Sequence, residues 1–294
     1  MQPLVWDRRP EGLRAPALVC AFGGWNDAAD AATTALGFVS SALGAERFAA
    51  IDPEEFYDFQ STRPQIALRD GITREITWPE VEVLAANVPR APRDLVFLTG
   101  PEPSMRWRAF AAAIVDLAEA LGVQIVVTLG ALLADVPHTR PVAITGIASD
   151  EALAERTALS RSNYEGPTGI TGVLHAACAE AGMPSASLWA AVPHYIAATP
   201  NPKAALALVR KLESLVGVTV DASELESAVV DYDRQVDLAV QSDDEVRQFV
   251  ERLEAAAEEA EDGTAEASGG KLPSGDTIAR EFQRFLRQRG PESS

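Results

Sequence analysis

Apolar runs of strand length recur along the chain, at 17–22, 47–51, 94–99, 123–129, 142–148 and 186–192. Several are apolar at successive rather than alternate positions, the mark of a strand covered on both faces. Between them the spacing turns helical: Ala28, Ala32, Ala35 and Val39 form one stripe, and 105–121, 169–181 and 202–216 carry further helical patterns. Strands alternating with helices predict an α/β domain of three layers, with helices flanking a central sheet. One stretch breaks the alternation. In 65–79, two alternating runs flank Asp70-Gly71, a dipeptide suited to the positive-φ positions of a tight hairpin, so the sheet is expected to be mixed rather than all parallel.

The pattern changes near Asp221. Leu225, Val229, Tyr232 and Val236 mark one helical stripe and Val246, Val250, Leu253 and Ala257 another, with Ser242 and Glu245 at capping-box spacing between them. Residues 221–262 hold 15 acidic and 3 basic side chains, a net of −12 within a whole-chain charge of −18. The division this suggests is an α/β core at 1–220 and an acidic helical hairpin, a C-terminal appendage, at 221–262. At 263–294 a Gly- and Ser-containing linker leads to an amphipathic helix with Ile278, Phe282 and Phe285 on one face.

Composition narrows the class. Lys and Arg number 25 against 43 Asp and Glu, which disfavours a nucleic-acid partner held through its phosphates. Cys20 and Cys178 both lie in apolar runs; they supply no disulfide framework or metal cluster and fit a reducing compartment. No apolar run approaches the roughly 18 residues of a spanning helix, and 1–16 lacks the apolar centre of a signal peptide. The expectation is a cytoplasmic protein with no membrane partner, no metal and no cofactor.

Candidate chemistry begins where 17–22 stops at Gly23-Gly24 and a helix starts soon after. Glycines allow positive φ and close backbone approach, Asn26 or Asp27 can cap the helix, and free N–H groups at a helix start attract anions. Gly23, Gly24, Trp25, Asn26 and Asp27 are therefore a candidate ligand-binding corner. A purely structural corner is the alternative: no dinucleotide fingerprint or Walker A loop is spelled out, no lysine stands beside it, and Asp27 would repel a phosphate. Gly166, Gly169 and Gly172 recur every third residue into a helix, which suits close packing; equally, Gly166, Thr168 and Gly169 could hold a small polar ligand with Tyr164 and Glu165 at its rim. Glu102 and Ser104 follow the carboxyl end of a strand, where open α/β sheets place ligands. His138, His175 and His194 are scattered, and no H-E-x-x-H, G-x-S-x-G or C-x-x-C occurs, so no catalytic residue is nominated.

Five blocks, AFGGWNDAADAATTAL, DPEEFYDFQSTRP, DGITREITWP, LTGPEPSMRW and LPSGDTIAREFQRFL, in this order make the chain resemble the proteasome assembly chaperone 2 family, in its actinobacterial branch, over most of its length. The resemblance implies a core like that of purine nucleoside phosphorylases and a non-enzymatic binding or assembly factor, with proteasome subunits or other proteins as partners. It also places Gly23, Gly24, Trp25, Asn26, Asp27 and Glu102 where the phosphorylase fold keeps its pocket. The alternative function is thus a phosphorylase-like or hydrolase-like enzyme acting on a small nucleoside-type or carboxylate ligand. Phosphorylase-like subunits commonly associate, and Phe56, Tyr57, Phe59, Trp78 and Trp107 are expected to expose apolar surface, so a homo-oligomer is expected. Some family members end in a hydrophobic-tyrosine tail, whereas this sequence ends RQRGPESS.

Overall fold

In the computed structural model, which describes residues 3–69, 73–157, 160–161, 164–196 and 198–261, the continuous apolar runs form the middle of a nine-stranded sheet. The strands in chain order are β1 (Leu4–Trp6), β2 (Ala17–Gly23), β3 (Glu46–Ile51), β4 (Gln65–Arg69), β5 (Thr73–Thr77), β6 (Val81–Ala86), β7 (Leu95–Pro101), β8 (Ile125–Ala134), β9 (Ile144–Ala148), β10 (Ser160–Arg161) and β11 (Ser185–Pro193). The central sheet runs β1-β3-β6-β7-β2-β8-β11-β9-β10, and among the described residues β4 pairs only with β5. Strands β7, β2, β8 and β11 are parallel, while β6 and β9 lie antiparallel to their inner neighbours. The sheet is mixed as expected, but for a different reason: the 65–77 hairpin stands apart from it. Residues Asp70 and Gly71 of the expected turn, and the linker and helix expected at 263–294, lie outside the described residues.

Helices α1 (Ala31–Ala42), α2 (Trp107–Ala120), α3 (Glu151–Thr157), α4 (Ile170–Glu180), α5 (Pro202–Val216), α6 (Ser223–Gln241) and α7 (Asp244–Glu261) complete the fold. The two-residue period of a strand explains why β2 is apolar throughout. Ala17, Val19 and Ala21 point into one core with α1 and α5, and Leu18, Cys20 and Phe22 into the other with α2 and α4. Each Leu, Val or Phe buried in these two layers contributes about 2 kcal/mol. Small side chains on α1, Ala31, Ala32 and Ala35, are fully buried on the α5 side.

Helices α6 and α7 bury Leu225, Tyr232, Val236, Val240 and Val250, whereas Val229 is half-buried. Their small core packs over Tyr195 and Ile196, which follow β11. The capping reading needs a correction of one residue: Ser242 ends α6, and the Asp243 carboxylate accepts from Glu245 N (2.9 Å) and Val246 N (3.2 Å). The aromatic block is corrected as well. Phe56 and Tyr57 are buried because 52–62 folds back over α2, with Phe56 and Phe110 ring centres 5.2 Å apart. Phe59 and Trp107 are half-buried, and of the five aromatics only Trp78, 46% exposed, lies open. Among the described residues, no helix is long and apolar enough to cross a membrane.

Candidate functional site

Strands β2 and β7 end side by side, with Gly23 opposite Pro101. The chain leaves β2 through Gly24 at φ +128°, a conformation that only glycine adopts without strain, and turns Asn26 into the interior, where it is fully buried. Asn26 Nδ2 donates to Glu102 Oε1 (2.6 Å), its Oδ1 accepts from Thr171 Oγ1 (3.1 Å), and its carbonyl accepts from Ala131 N (2.8 Å). Glu102 Oε1 also accepts from Ile170 N (2.8 Å), at the first residue of α4. The anion-attracting start of α4 is therefore occupied by a carboxylate of the same chain. Gly169 makes this closeness possible, since a Cβ there would lie 2.2 Å from Asn26 Oδ1.

Asp27 faces the other way, toward α1. Its carboxylate accepts from Ala32 N (2.6 Å), Thr33 N (3.3 Å) and the Thr33 hydroxyl, so it serves the first turn of a helix that begins four residues later. Burial pushes its pKa up, and the bonds from Thr33 and Ala32 only partly oppose that shift. To make this turn, Ala29 and Asp30 adopt left-handed φ values of 51° and 52°, each costing roughly 1–2 kcal/mol. Asn201 N fixes the strained segment by donating to Ala29 O (2.9 Å). Behind Glu102, Tyr57 Oη donates to Pro101 O (2.6 Å); burial, with the Glu102 charge, raises its pKa and keeps it a donor.

Of the residues nominated from sequence, Gly23, Gly24, Asn26, Asp27, Glu102 and Gly169 come together. Trp25, Gly166 and Thr168 face solvent beside them. Tyr164 Oη donates to Pro167 O (2.8 Å) and sits against Gly166, while Thr168 lies over Gly172. Thr171, Thr33 and Tyr57 complete the corner and were not nominated; each is a hydroxyl whose role depends on a partner at least six positions away, which periodicity does not encode.

A second polar cluster forms where the loops after β8 and β11 meet α6 and α7. His138 is buried, with Nδ1 2.6 Å from Tyr195 Oη and Nε2 3.1 Å from Asp237 Oδ1. Lys203 Nζ donates to His138 O (2.5 Å) and pairs with Asp233 (3.3 Å). Thr139 Oγ1 donates to Glu254 (2.6 Å), Arg140 pairs with Glu258 (3.0 Å), and His194 Nδ1 lies 3.0 Å from Asp135. Tyr232 Oη and Asp233 Oδ1 are buried there without a hydrogen-bond partner among the described residues. His175 is apart from both clusters: it contacts Ser185 Oγ (3.0 Å), and burial lowers its pKa. Among the described residues, no three His, Cys, Asp or Glu side chains converge as metal ligands.

With this geometry in hand, residues 21–240 match the family model described as PAC2 family. A PAC2 family protein of Streptomyces avermitilis is 48% identical, with 80% of this chain and 99% of that one covered at a TM-score of 0.75. A proteasome-assembly chaperone homologue of Mycobacterium tuberculosis is 43% identical over the same shares, 80% and 99%, at 0.74. An archaeal proteasome activator of Pyrococcus furiosus, 18% identical over 81% of this chain and 99% of that one, shares the fold at 0.64. No curated protein matches the sequence.

Proposed function

The chain belongs to the PAC2 family, and on that premise we propose that it is a protein-binding assembly factor whose working surface is the carboxyl edge of the sheet. One observation carries the reading: the polar groups of the glycine corner are spent on each other, while the apolar groups around it are not. Glu102 fills the start of α4 and Asn26 is bonded to Glu102 and Thr171, whereas Trp25 (48%), Met105 (43%) and Leu133 (53%) are exposed at the ends of β2, β7 and β8. A small anionic ligand would have to displace a carboxylate from its hydrogen bonds, at a cost of about 1.5–3 kcal/mol for each bond lost. An apolar protein surface would displace only water. Partners of the class named for the mycobacterial relative, proteasome subunits, are the first to test.

Full-length chain and purified proteasome subunits, mixed and followed by interferometry, should give saturable binding that Trp25→Asp and Met105→Asp weaken at least about tenfold while the melting temperature holds. Binding that ignores both substitutions would remove the carboxyl edge from the account. Saturable binding of a nucleoside or small carboxylate, lost in Glu102→Gln and unaccompanied by subunit binding, would favour the enzyme instead.

A further inference from the structure

Helix α7 runs onto the carboxyl edge of the sheet. Thr139 Oγ1 donates to Glu254 (2.6 Å) and Arg140 pairs with Glu258 (3.0 Å), so the last two turns of α7 lie on the loop that follows β8. Residues 262–294 therefore set out from the side of the edge where β8 ends and Leu133 is exposed. Strands β7, β2 and β8 are neighbours, so the apolar side chains left open at their ends, Met105, Trp25 and Leu133, stand over two strand spacings, about 10 Å.

We propose that residues 276–289 of the same chain fold over this edge as a helix and compete there with the protein partner. The competition rests on the assembly-factor reading; the cover itself does not. Three features select this segment as the occupant. First, its apolar stripe fits: Ile278, Phe282 and Phe285 fall at helical spacing and span about 10 Å at 1.5 Å per residue, the width of the open patch. Second, it reaches. Fourteen residues, 262–275, join it to α7, and a Gly- and Ser-containing chain of that length spans about 20 Å root-mean-square, which holds the segment at an effective concentration of about 1 mM. Third, charge draws it in. Residues 276–289 carry four arginines against two acidic residues, while Asp30, Asp135 and Glu165 are exposed at the edge and its Arg106 is already paired with Glu55 (2.5 Å). The open apolar face of the β4–β5 hairpin is the rival seat, but 61–78 holds three arginines against two acidic residues, so charge sends a basic segment elsewhere.

Maleimide labelling of Leu133→Cys in the full chain reads the cover without any partner, because Cys20 and Cys178 are both buried. A segment that binds with a dissociation constant of about 0.1 mM is closed about nine-tenths of the time at an effective concentration of about 1 mM. Labelling should therefore run about tenfold slower than in the same chain carrying Phe282→Asp and Phe285→Asp. Met105→Cys should behave alike and guards against a reporter that itself breaks the cover, whereas Ile66→Cys on the hairpin should label equally in both backgrounds. Proteasome subunits should bind the Phe282→Asp/Phe285→Asp chain about tenfold more tightly than the unsubstituted one. Equal labelling of Leu133→Cys and of Met105→Cys in both backgrounds would overturn the cover, whatever the subunits do. So would protection found at Ile66→Cys instead, which seats the segment on the hairpin, or protection that added unsubstituted chain confers on the doubly substituted one, which assigns the segment to another copy. Protected labelling beside unchanged subunit binding would overturn the competition. Protected labelling with no subunit binding in either chain would uphold the cover and retire the assembly-factor reading alone.

Discussion

The glycine corner and the dock of the acidic helices are both polar junctions at the carboxyl edge of one sheet, yet they are built by opposite means. In the corner, Asn26, Glu102, Thr171 and the Ile170 amide satisfy one another, Asn26 and Thr171 buried and Glu102 half-buried, and a single carboxylate sits at a helix start that favours it. At the dock, α6 and α7 bring a large negative charge against a few cations: Lys203 meets Asp233, Arg140 meets Glu258 and Arg210 meets Glu226. Glu226 and Glu258 are more than half exposed, where an ion pair contributes little, and Tyr232 Oη and Asp233 Oδ1 are buried with no hydrogen-bond partner among the described residues. Charge density is thus a poor guide to strength. The corner should open only with the whole fold, and the dock should open first.

Gly169→Ala is the hardest blow to that contrast. The new Cβ would fall 2.2 Å from Asn26 Oδ1 and 2.6 Å from its Cγ, in a side chain held by Glu102 and Thr171, so a loss of about 3 kcal/mol or more of global stability is expected. Urea unfolding reads it directly, and an unshifted midpoint would mean that the corner yields.

Acid sharpens the contrast next. Burial raises the Asp27 pKa, so its contribution is present at low pH and is lost as pH rises through the raised value. Asp94, at the amino end of β7, runs the other way. Burial alone would raise its pKa, but Arg14, the Val88 amide and Asn87 outweigh that and hold it at about 2, below the ordinary 3.8. Its contribution, roughly 2 kcal/mol, is present above pH 4 and disappears as pH falls through 2. Replacing it by Asn should flatten stability between pH 4 and pH 2; an unchanged acid limb would show that Asp94 does not carry it.

At the dock, His138→Ala removes contacts to Tyr195 and Asp237 and should cost about 1–2 kcal/mol, confined to α6 and α7. Hydrogen exchange should quicken in those helices while β2 and β8 keep their protection; a uniform change would show that dock and core open together. Salt is the smallest lever. Raising it should slow exchange in α6 and α7 slightly, by less than about 1 kcal/mol, because screening relieves more repulsion than attraction in a segment of net −12. Faster exchange would mean that the few ion pairs hold the dock.

Period and punctuation made much of this legible in advance. Doubly buried β2, the turn at Gly23-Gly24, and the stripes of α6 each follow from the spacing of apolar residues along one element. Strand β6 was missed because Val81, Val83 and Ala86 make a weak run, and β1 because three residues carry no period. Alternation in 65–77 gave a hairpin but could not say whether it joins the main sheet. The site was half visible. Glycines and Asp27 announce a corner, but Glu102 meets Ile170 across 68 positions and His138 meets Asp237 across 99, and a single sequence holds no record of which distant residues meet. For the same reason the aromatic block around Phe56 looked like surface until α2 was seen to lie beneath it.

Glu102 is where the account stands or falls, because the same carboxylate is either a brace between β7, β2 and α4 or a group held ready for a ligand. Equilibrium urea unfolding of Glu102→Ala beside the unsubstituted chain separates the two. A brace, once removed, leaves the Asn26 carboxamide and the Ile170 amide without their acceptor, and the account predicts a loss of about 2–3 kcal/mol, with Glu102→Gln losing less because both bonds fall on Oε1, whose place the amide oxygen can take, so that only the charge is lost. A group kept for a ligand is commonly paid for in stability. Glu102→Ala unfolding at the same or a higher urea concentration would contradict the account and return the glycine corner to the ligand-binding reading.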